Sequence, residues 1–571
     1  MTPGVYSSLQ HINETRAMLE ERLDDLVEDE DFELVKLNEF AMSPTFYLIY
    51  QGLSDVKFLT ALHDTYARGH PSLHAYPSTD KLPPFPPVRE AKATSDDKSV
   101  GVDSNSGSAL VESASAPSQP LRVGFVSSHF RRHSICKLFC GVIQDLAKTT
   151  HTSVNNKNTS FQVYVFSGQD ESREDKYTKQ LKDSVHLFVR LSRFTVPARQ
   201  EVLKRQIDVL IYLDIGMDPS TTVWGASKLA PIQMCIWGHP STTGLRSMDY
   251  YISSELFHRD LSPQYRRTEE IFLEQVVRLP STLGIAFERP VLSLSSPVTD
   301  EDLIHRPTDF LNAVNDTLGN AKPANITLSP FGAPATIATL VDKKARGEVL
   351  ILIPQHLPKF HPDFDVVIRD LLESVPDASV VITYDVKKSM WRQTLETRWK
   401  KEAGFSEDMI KERILWMESL TPQQYLAMLS LGDVMVDPFP FGGGVTTLEA
   451  LAVCTPVITL PTHQNVPALT AGMLRTLAPG DETSVHVDHI YSSVDDFIKG
   501  ARRLLTDSTA SVDARRAICR DVHNLYVDSN STNPTVAEWA ELIVTTSTPN
   551  AEEVMITPDA NITSVGDSDS E

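Results

Sequence analysis

The sequence predicts an α/β protein of two Rossmann-like lobes facing a cleft, with a small N-terminal helical region. Three observations carry this. Two series of short apolar runs alternate with helical patterns, one from Leu121 to about residue 288 and one from Glu348 onward. In each, strands are separated by helical stretches, which implies parallel sheets, because parallel neighbours need a crossover and a helix supplies it. The stretch before the first series is rich in Pro and Ser and the one between the two series in Pro, Ser, Asn and Thr, so they bury little and read as connections.

Residues 1–83 form the helical region: Leu19, Leu23, Val27 and Leu34 recur at near-helical spacing amid acids from Glu20 to Glu33, which belong to a solvated face and loop. A second helical pattern runs through the aromatic-rich SPTFYLIYQGLSDVKFLTALHDTYARGH. Residues 84–120, from PPFPPV to APSQP, are a flexible linker. The first lobe, 121–289, opens with strand LRVGFVSS; Phe161–Ser167, Ser184–Leu191 and Ile207–Asp214 give three more, and APIQMCIWGHPSTTG and MDYYIS continue the alternation. Residues 290–347 are an interdomain connection carrying an insertion. The second lobe, 348–545, has strands EVLILIP, ASVVITYD, ERILWM, DVMVDP and PVITLP, with helices between them and C-terminal helices after. Residues 546–571 hold acids and no Lys or Arg, and read as a disordered tail.

The chain has 571 residues and a formal charge of −22. That balance argues against a binder of nucleic-acid backbones, which needs a basic footprint, but leaves room for a nucleotide pocket. No apolar run approaches the roughly 18–20 residues that span a bilayer. The start lacks the basic and apolar regions of a secretory signal. The five cysteines form no CxxC pair, and Cys136 and Cys140, four apart, read as packing on one helix face. No disulfide framework is therefore expected, and a reducing compartment, cytoplasmic or nuclear, is. No membrane or nucleic-acid partner is expected.

The stretch DVMVDPFPFGGGVTTLEALAVCTPVITLP places a strand end at Asp437, a turn with Gly442, Gly443 and Gly444, and a helix start near Val445–Thr446. Glycines let backbone approach a ligand, and a helix N-terminus offers N–H groups to an anion. Thr446 and Thr447 add hydroxyls. Glu449 can accept from ribose hydroxyls or act as the partner in a capping box with Thr446. After the first strand of this lobe, Gln355 and Lys359 stand where a cation can neutralise a diphosphate, although a lone loop lysine is commonly only solvated. Asp363-Phe364-Asp365 matches a metal-holding DxD, but Asp363 stands where a helix N-cap belongs, so no metal site is predicted. In the first lobe His133, beside Arg131 and Arg132, is either a general base or a helix cap. Asp214 and His239, with the Ser241–Thr243 hydroxyls, stand at two further strand ends.

These residues bring out a resemblance. RVGFVSSHFRRH, DVLIYLDIGM, APIQMCIWGHPSTTG with MDYYIS, PQHLPKFHPDFD, LGDVMVDPFPFGGGVTTLEAL and TPVITLP occur in order. They resemble the catalytic region of protein O-GlcNAc transferases and their wider group, which includes SPINDLY O-fucosyltransferases and bacterial cytoplasmic N-glycosyltransferases. The resemblance implies a GT-B fold, a nucleotide-sugar donor held mainly by the second lobe, and inverting chemistry without a metal or other cofactor. It implies His133 near sugar and acceptor, Lys359 on the leaving diphosphate, Gln355 beside it, Gly443 to Thr446 as the phosphate-binding turn, and Glu449 on the ribose. It sets Tyr425 where the animal enzymes stack a histidine on uracil.

The departures fall in the same places. The animal GHTTGMD turn is GGVTTLE here, with Gly444 and Val445 replacing histidine and threonine. Pro422 replaces a lysine, and VPALTAG a Ser-Arg-Val stretch. A helical stub of about 75 residues stands where the family carries a tandem TPR superhelix. UDP-GlcNAc donor and protein Ser/Thr acceptors are the reading; GDP-fucose, or UDP-glucose to Asn, is the first alternative. A non-catalytic nucleotide-sugar binding protein is the second.

Overall fold

Runs such as VLIY and VLILI have no polar face, as strands covered on both sides by helices require. In the computed structural model they sit in the middle of two sheets. The structure describes residues 2–34, 45–70, 73, 120–152, 158–258, 271–319, 334–418, 420–461, 467–527 and 533–547. The 84–120 linker, except for its last residue, and the tail after residue 547 lie outside them.

In the first lobe β1 (Leu121–Ser127), β2 (Thr150–Thr152), β3 (Asn158–Ser167), β4 (Leu187–Arg190), β5 (Val209–Tyr212), β6 (Ile232–Ile236), β7 (Tyr250–Ser254) and β8 (Gln275–Leu279) form one sheet. Its order is β2-β3-β1-β5-β6-β7-β8, with β4 also on β3. All pairings are parallel except β2 with β3. In the second lobe β9 (Val349–Ile353), β10 (Ala378–Tyr384), β11 (Ile414–Glu418), β12 (Val434–Val436) and β13 (Val457–Ile458) form a parallel sheet in the order β11-β10-β9-β12-β13. Each sheet reverses its direction of growth once, at β1/β5 and at β9/β12. The loops leaving two such strands diverge and open a crevice, where ligands of open α/β sheets bind.

Several elements differ from the sequence reading. β2 is a polar THT that shows no alternation, and it forms by pairing with the start of β3. The 290–347 connection holds helices Asp300–His305, Thr308–Val314 and Ile337–Ala345. The last helix, Pro534–Thr546, falls within the second lobe by sequence but packs on the first. There Trp539 Nε1 donates to Gly284 O at 3.1 Å, and Glu538 accepts from Thr282 Oγ1 at 2.6 Å. Its apolar face signals burial but not against which lobe.

The cysteines also depart from the expectation of thiols: Cys136 is bonded to Cys140 and Cys454 to Cys519, leaving Cys235 buried and free. A gap of 65 residues between Cys454 and Cys519 leaves no mark in the sequence, yet the fold brings their Cα atoms to 5.1 Å. Among the described residues no helix is long and apolar enough to cross a membrane.

The N-terminal region pairs helix Leu9–Glu28 with helix Val56–Gly69 around Leu23, Leu48, Phe58 and Leu59, with a 3-10 turn, Thr45–Gln51, between them. It is fastened to both lobes. Asp64 accepts from Arg246 of the first lobe at 2.8 Å, and Tyr6 O accepts from Arg398 of the second at 2.7 Å.

Candidate active site

The crevice of the second lobe lies between the loops after β9 and β12. Lys359, closing the short turn Leu357–Lys359, donates from Nζ to Gln355 Oε1 at 2.8 Å and to Gly442 O at 2.7 Å. Its ammonium lies 4.7 Å from the centre of the Phe441 ring. Gln355 Nε2 in turn donates to Thr446 Oγ1 at 2.7 Å. Burial lowers the Lys359 pKa from 10.5 to about 8, against the pull of Asp437. The expected Gln355, Lys359, Gly443 and Thr446 therefore converge in one network.

Asp437 shapes the turn. Its carboxylate accepts from Gly443 N at 2.5 Å and Thr459 Oγ1 at 3.0 Å, and burial raises its pKa. A Cβ on Gly442 would stand 2.4 Å from Asp437 Oδ2, and one on Gly443 2.2 Å from Thr447 Oγ1, so both must be glycine. A Cβ on Gly444 would meet nothing nearer than Leu469 at 3.9 Å, leaving space where the resembled enzymes carry a side chain. Gly444 is the N-cap of helix Val445–Ala452 and supplies no side-chain cap; Thr447 N donates to Gly444 O at 3.0 Å, and the Val445 and Thr446 N–H groups before it are open to an anion.

The capping box considered for Glu449 does not form. Glu449 instead accepts from Lys137 Nζ at 2.6 Å, across the cleft from the first lobe. Thr447 is buried and bonds Thr470 at 3.1 Å. Val445 packs half-buried against the core. Tyr425, on helix Pro422–Leu431, donates to Pro354 O at 3.4 Å; burial, then the charge of Glu449, raises its pKa.

The DFD stretch divides in two. His361 caps helix Pro362–Ser374, accepting from Asp363 N at 3.2 Å, so the cap is two residues earlier than expected. The Asp365 carboxylate is buried and taken by Arg398 at 2.6 and 2.7 Å and by Trp399 Nε1 at 2.9 Å, while Asp363 is exposed. Among the described residues one group has metal-ligand proximity, Asp300 with Cys454 and Cys519, and both sulfurs are in the disulfide.

In the first lobe Asp214 lies just past β5 and is fully buried. Its Oδ2 accepts from Ser127 Oγ at 2.7 Å and Ser128 N at 2.9 Å, and pairs with His129 Nδ1 at 2.8 Å. The carboxylate thereby holds a proton on Nδ1 and leaves Nε2 as an acceptor. His129, two residues past the end of β1, is a site residue that the sequence motifs do not mark; the family motif marks His133 instead. His133 caps helix Ser134–Leu146 by accepting from Ile135 N at 3.3 Å. Its ring centre lies 4.1 Å from that of His129, and burial with the neighbouring cations lowers its pKa to about 4.

His239 does not share this network. Its ring stacks on Phe46 at 5.4 Å and packs on Gly216, whose φ of +89° and lack of a Cβ allow the approach; burial lowers its pKa to about 4. The neighbouring hydroxyls are structural: Thr242 bonds buried Glu274 at 2.7 Å, and Thr243 bonds the same carboxylate. The convergence of three polar strand ends thus holds for Asp214 and His133, joined through His129, and not for His239.

Known proteins resemble this chain in sequence and fold. Residues 103–286 match the family model described as glycosyl transferase family 41. The chain is 22% identical over 343 residues to the probable UDP-N-acetylglucosamine–peptide N-acetylglucosaminyltransferase SEC of Arabidopsis thaliana, covering 60% of this chain and 29% of the relative. It is 23% identical over 318 residues to the UDP-glucose:protein N-beta-glucosyltransferase of Actinobacillus pleuropneumoniae serotype 5b (strain L20), covering 53% of this chain and 39% of the relative. It thus spans well under half the length of either. The solved structure of a mutant O-GlcNAc transferase of Thermobaculum terrenum superposes with a TM-score of 0.54 at 20% identity, over 75% of this chain and 68% of that one. The chain therefore resembles glycosyl transferase family 41 over residues 103–286 and has the two-lobed GT-B fold.

Proposed function

We propose that the protein is a glycosyltransferase that moves GlcNAc from UDP-GlcNAc to Ser or Thr hydroxyls of proteins, by inversion and without a metal. One observation carries the reading. Lys359, Gln355, Thr446 and the N-terminus of helix Val445–Ala452 form a single cationic cradle at the switch point of the second sheet. A leaving diphosphate gains charge in the transition state, and a preorganised ammonium with helix N–H groups answers that charge. Glu449 exchanges Lys137 for the ribose hydroxyls, and Tyr425 backs the base.

In the first lobe, His129 Nε2 takes the proton from the acceptor hydroxyl while Asp214 steadies the ring. The hydroxyl oxygen bonds to the anomeric carbon from the face opposite the leaving group. The anomeric carbon–oxygen bond breaks, and its electron pair leaves with UDP. His133, neutral above pH about 5, lines this side as a hydrogen-bonding group.

The N-glucosyltransferase relative favours a second reading, UDP-glucose to Asn, with the same cradle. A hydrolysis screen over UDP-GlcNAc, UDP-glucose and GDP-fucose decides. Nucleotide release from UDP-GlcNAc above the other two is expected. Release from none, with UDP still bound, makes the chain a nucleotide-sugar binding protein instead.

A further inference from the structure

The turn Thr45–Gln51 enters the cleft between the lobes as a set of aromatic rings. Phe46 stacks on His239 of the first lobe at 5.4 Å, and Tyr47 meets Trp391 of the second edge-on at 5.9 Å. Tyr50 meets Phe441 edge-on at 4.9 Å, and Phe441 is the ring over which the Lys359 ammonium lies. Tyr50 and Phe441 are both buried. The turn is itself anchored: Gln51 Nε2 donates to Tyr6 OH at 2.7 Å, and Arg16 holds Asp55 at 2.6 Å.

We propose that Tyr50 is a positioning residue for the donor site: its ring holds Phe441 against Lys359, so the N-terminal helical region forms a wall of the diphosphate cradle rather than a separate appendage. This rests on the reading of Lys359 as the diphosphate partner. The face of an aromatic ring is negative, so the ammonium over Phe441 is held by that ring's quadrupole, and Tyr50, its plane inclined at 64° to Phe441, packs against the same ring. With the two hydrogen bonds, the ring fixes Nζ in place before a donor arrives. It also keeps water from a charge whose pull on the leaving group grows as water is excluded. The charged and titratable groups facing Lys359 are Asp437, whose pKa burial raises, and His356, lowered by burial and neighbouring cations to about 4. Neither His356 nor the Tyr50 hydroxyl, raised by burial, titrates near pH 8.

The test uses the full chain with Tyr50→Ala and Tyr50→Phe. Trace acetylation with acetic anhydride across pH 6–11, read by mass spectrometry of the peptide carrying Lys359, reports that lysine's own titration without any donor. In the wild type the midpoint is expected near 8. Water admitted by Tyr50→Ala should move it up by at least about one pH unit, toward an ordinary lysine, while Tyr50→Phe leaves it unmoved. With UDP-GlcNAc, Tyr50→Ala should lose about tenfold in kcat with donor KM within about twofold, and the alkaline limb of its pH profile should move upward; Tyr50→Phe should keep both constants within about twofold. A merely structural role would lower the active fraction and leave both titrations in place. If Tyr50→Ala loses its cooperative melt, Tyr50→Leu is read instead. An unmoved Lys359 midpoint overturns the proposal whether or not any donor is turned over. A moved midpoint without turnover leaves the positioning intact and removes the glycosyltransferase reading.

Discussion

Replacing Lys359 by Met separates a lysine kept for chemistry from one kept for packing. Met retains much of the aliphatic bulk and removes the charge. Losing one preorganised donor at a developing oxyanion costs about 2.7–4 kcal/mol, or about 10²–10³ in kcat. Affinity for UDP should change far less, because the charge on the leaving oxygen is largest in the transition state. Stability gives a second, independent readout. Burial holds the folded-state pKa at about 8 against 10.5 in the unfolded chain. Between those values the unfolded chain binds a proton that the folded one does not, so stability rises with pH through this window. Below about 8 the charged ammonium costs on the order of 3 kcal/mol relative to high pH. The variant lacks that dependence. Wild type minus variant, in free energy of unfolding from denaturant melts at pH 7 and pH 10.5, should therefore grow by a few kcal/mol. A variant with at least half the wild-type kcat, or a difference flat in pH, would refute the reasoning.

Other substitutions test the remaining parts. His129→Ala and Asp214→Asn should each lower kcat by about 10²–10⁴, the range of a general base, while donor KM stays within about threefold; His239→Phe should spare kcat. With no capping box to preserve, Glu449→Gln should raise donor KM about tenfold, since a charge-assisted acceptor becomes a neutral one, and leave the apo melting temperature within about two degrees. Asp363→Asn should retain full activity, including in excess EDTA. Asp365→Asn should cost about 3–5 kcal/mol of stability because it strands the buried Arg398; EDTA inactivation reversed by manganese would make the DFD stretch a metal site.

The sheets were legible because parallel strands covered on both faces must be continuously apolar, as VLIY and VLILI are. Asp437 and the glycine turn were legible for a related reason: only glycine tolerates the approach of Gly442 to Asp437. What stayed hidden depends on contacts distant in sequence. Glu449 bonds Lys137 across 312 positions, whereas the local sequence fits its carboxylate equally to a capping box or to ribose hydroxyls. His239 looked like its neighbours at other strand ends, and only the arrival of Phe46 from the N-terminal region distinguishes it. His129 carried no signal beyond its place after β1; its partner Asp214 lies 85 residues on.

The central claim is transfer of a sugar to protein hydroxyls, and the most direct measurement is site-resolved mass spectrometry of acceptors. A soluble protein extract is incubated with the purified chain, EDTA and an equimolar mixture of UDP-GlcNAc, UDP-glucose and GDP-fucose. Modified peptides are then sequenced by electron-transfer fragmentation, with Lys359→Met as the control. N-acetylhexosamine on Ser and Thr, absent with the variant, is the expected result. Hexose on Asn, deoxyhexose on Ser or Thr, or no modification above the variant would contradict it.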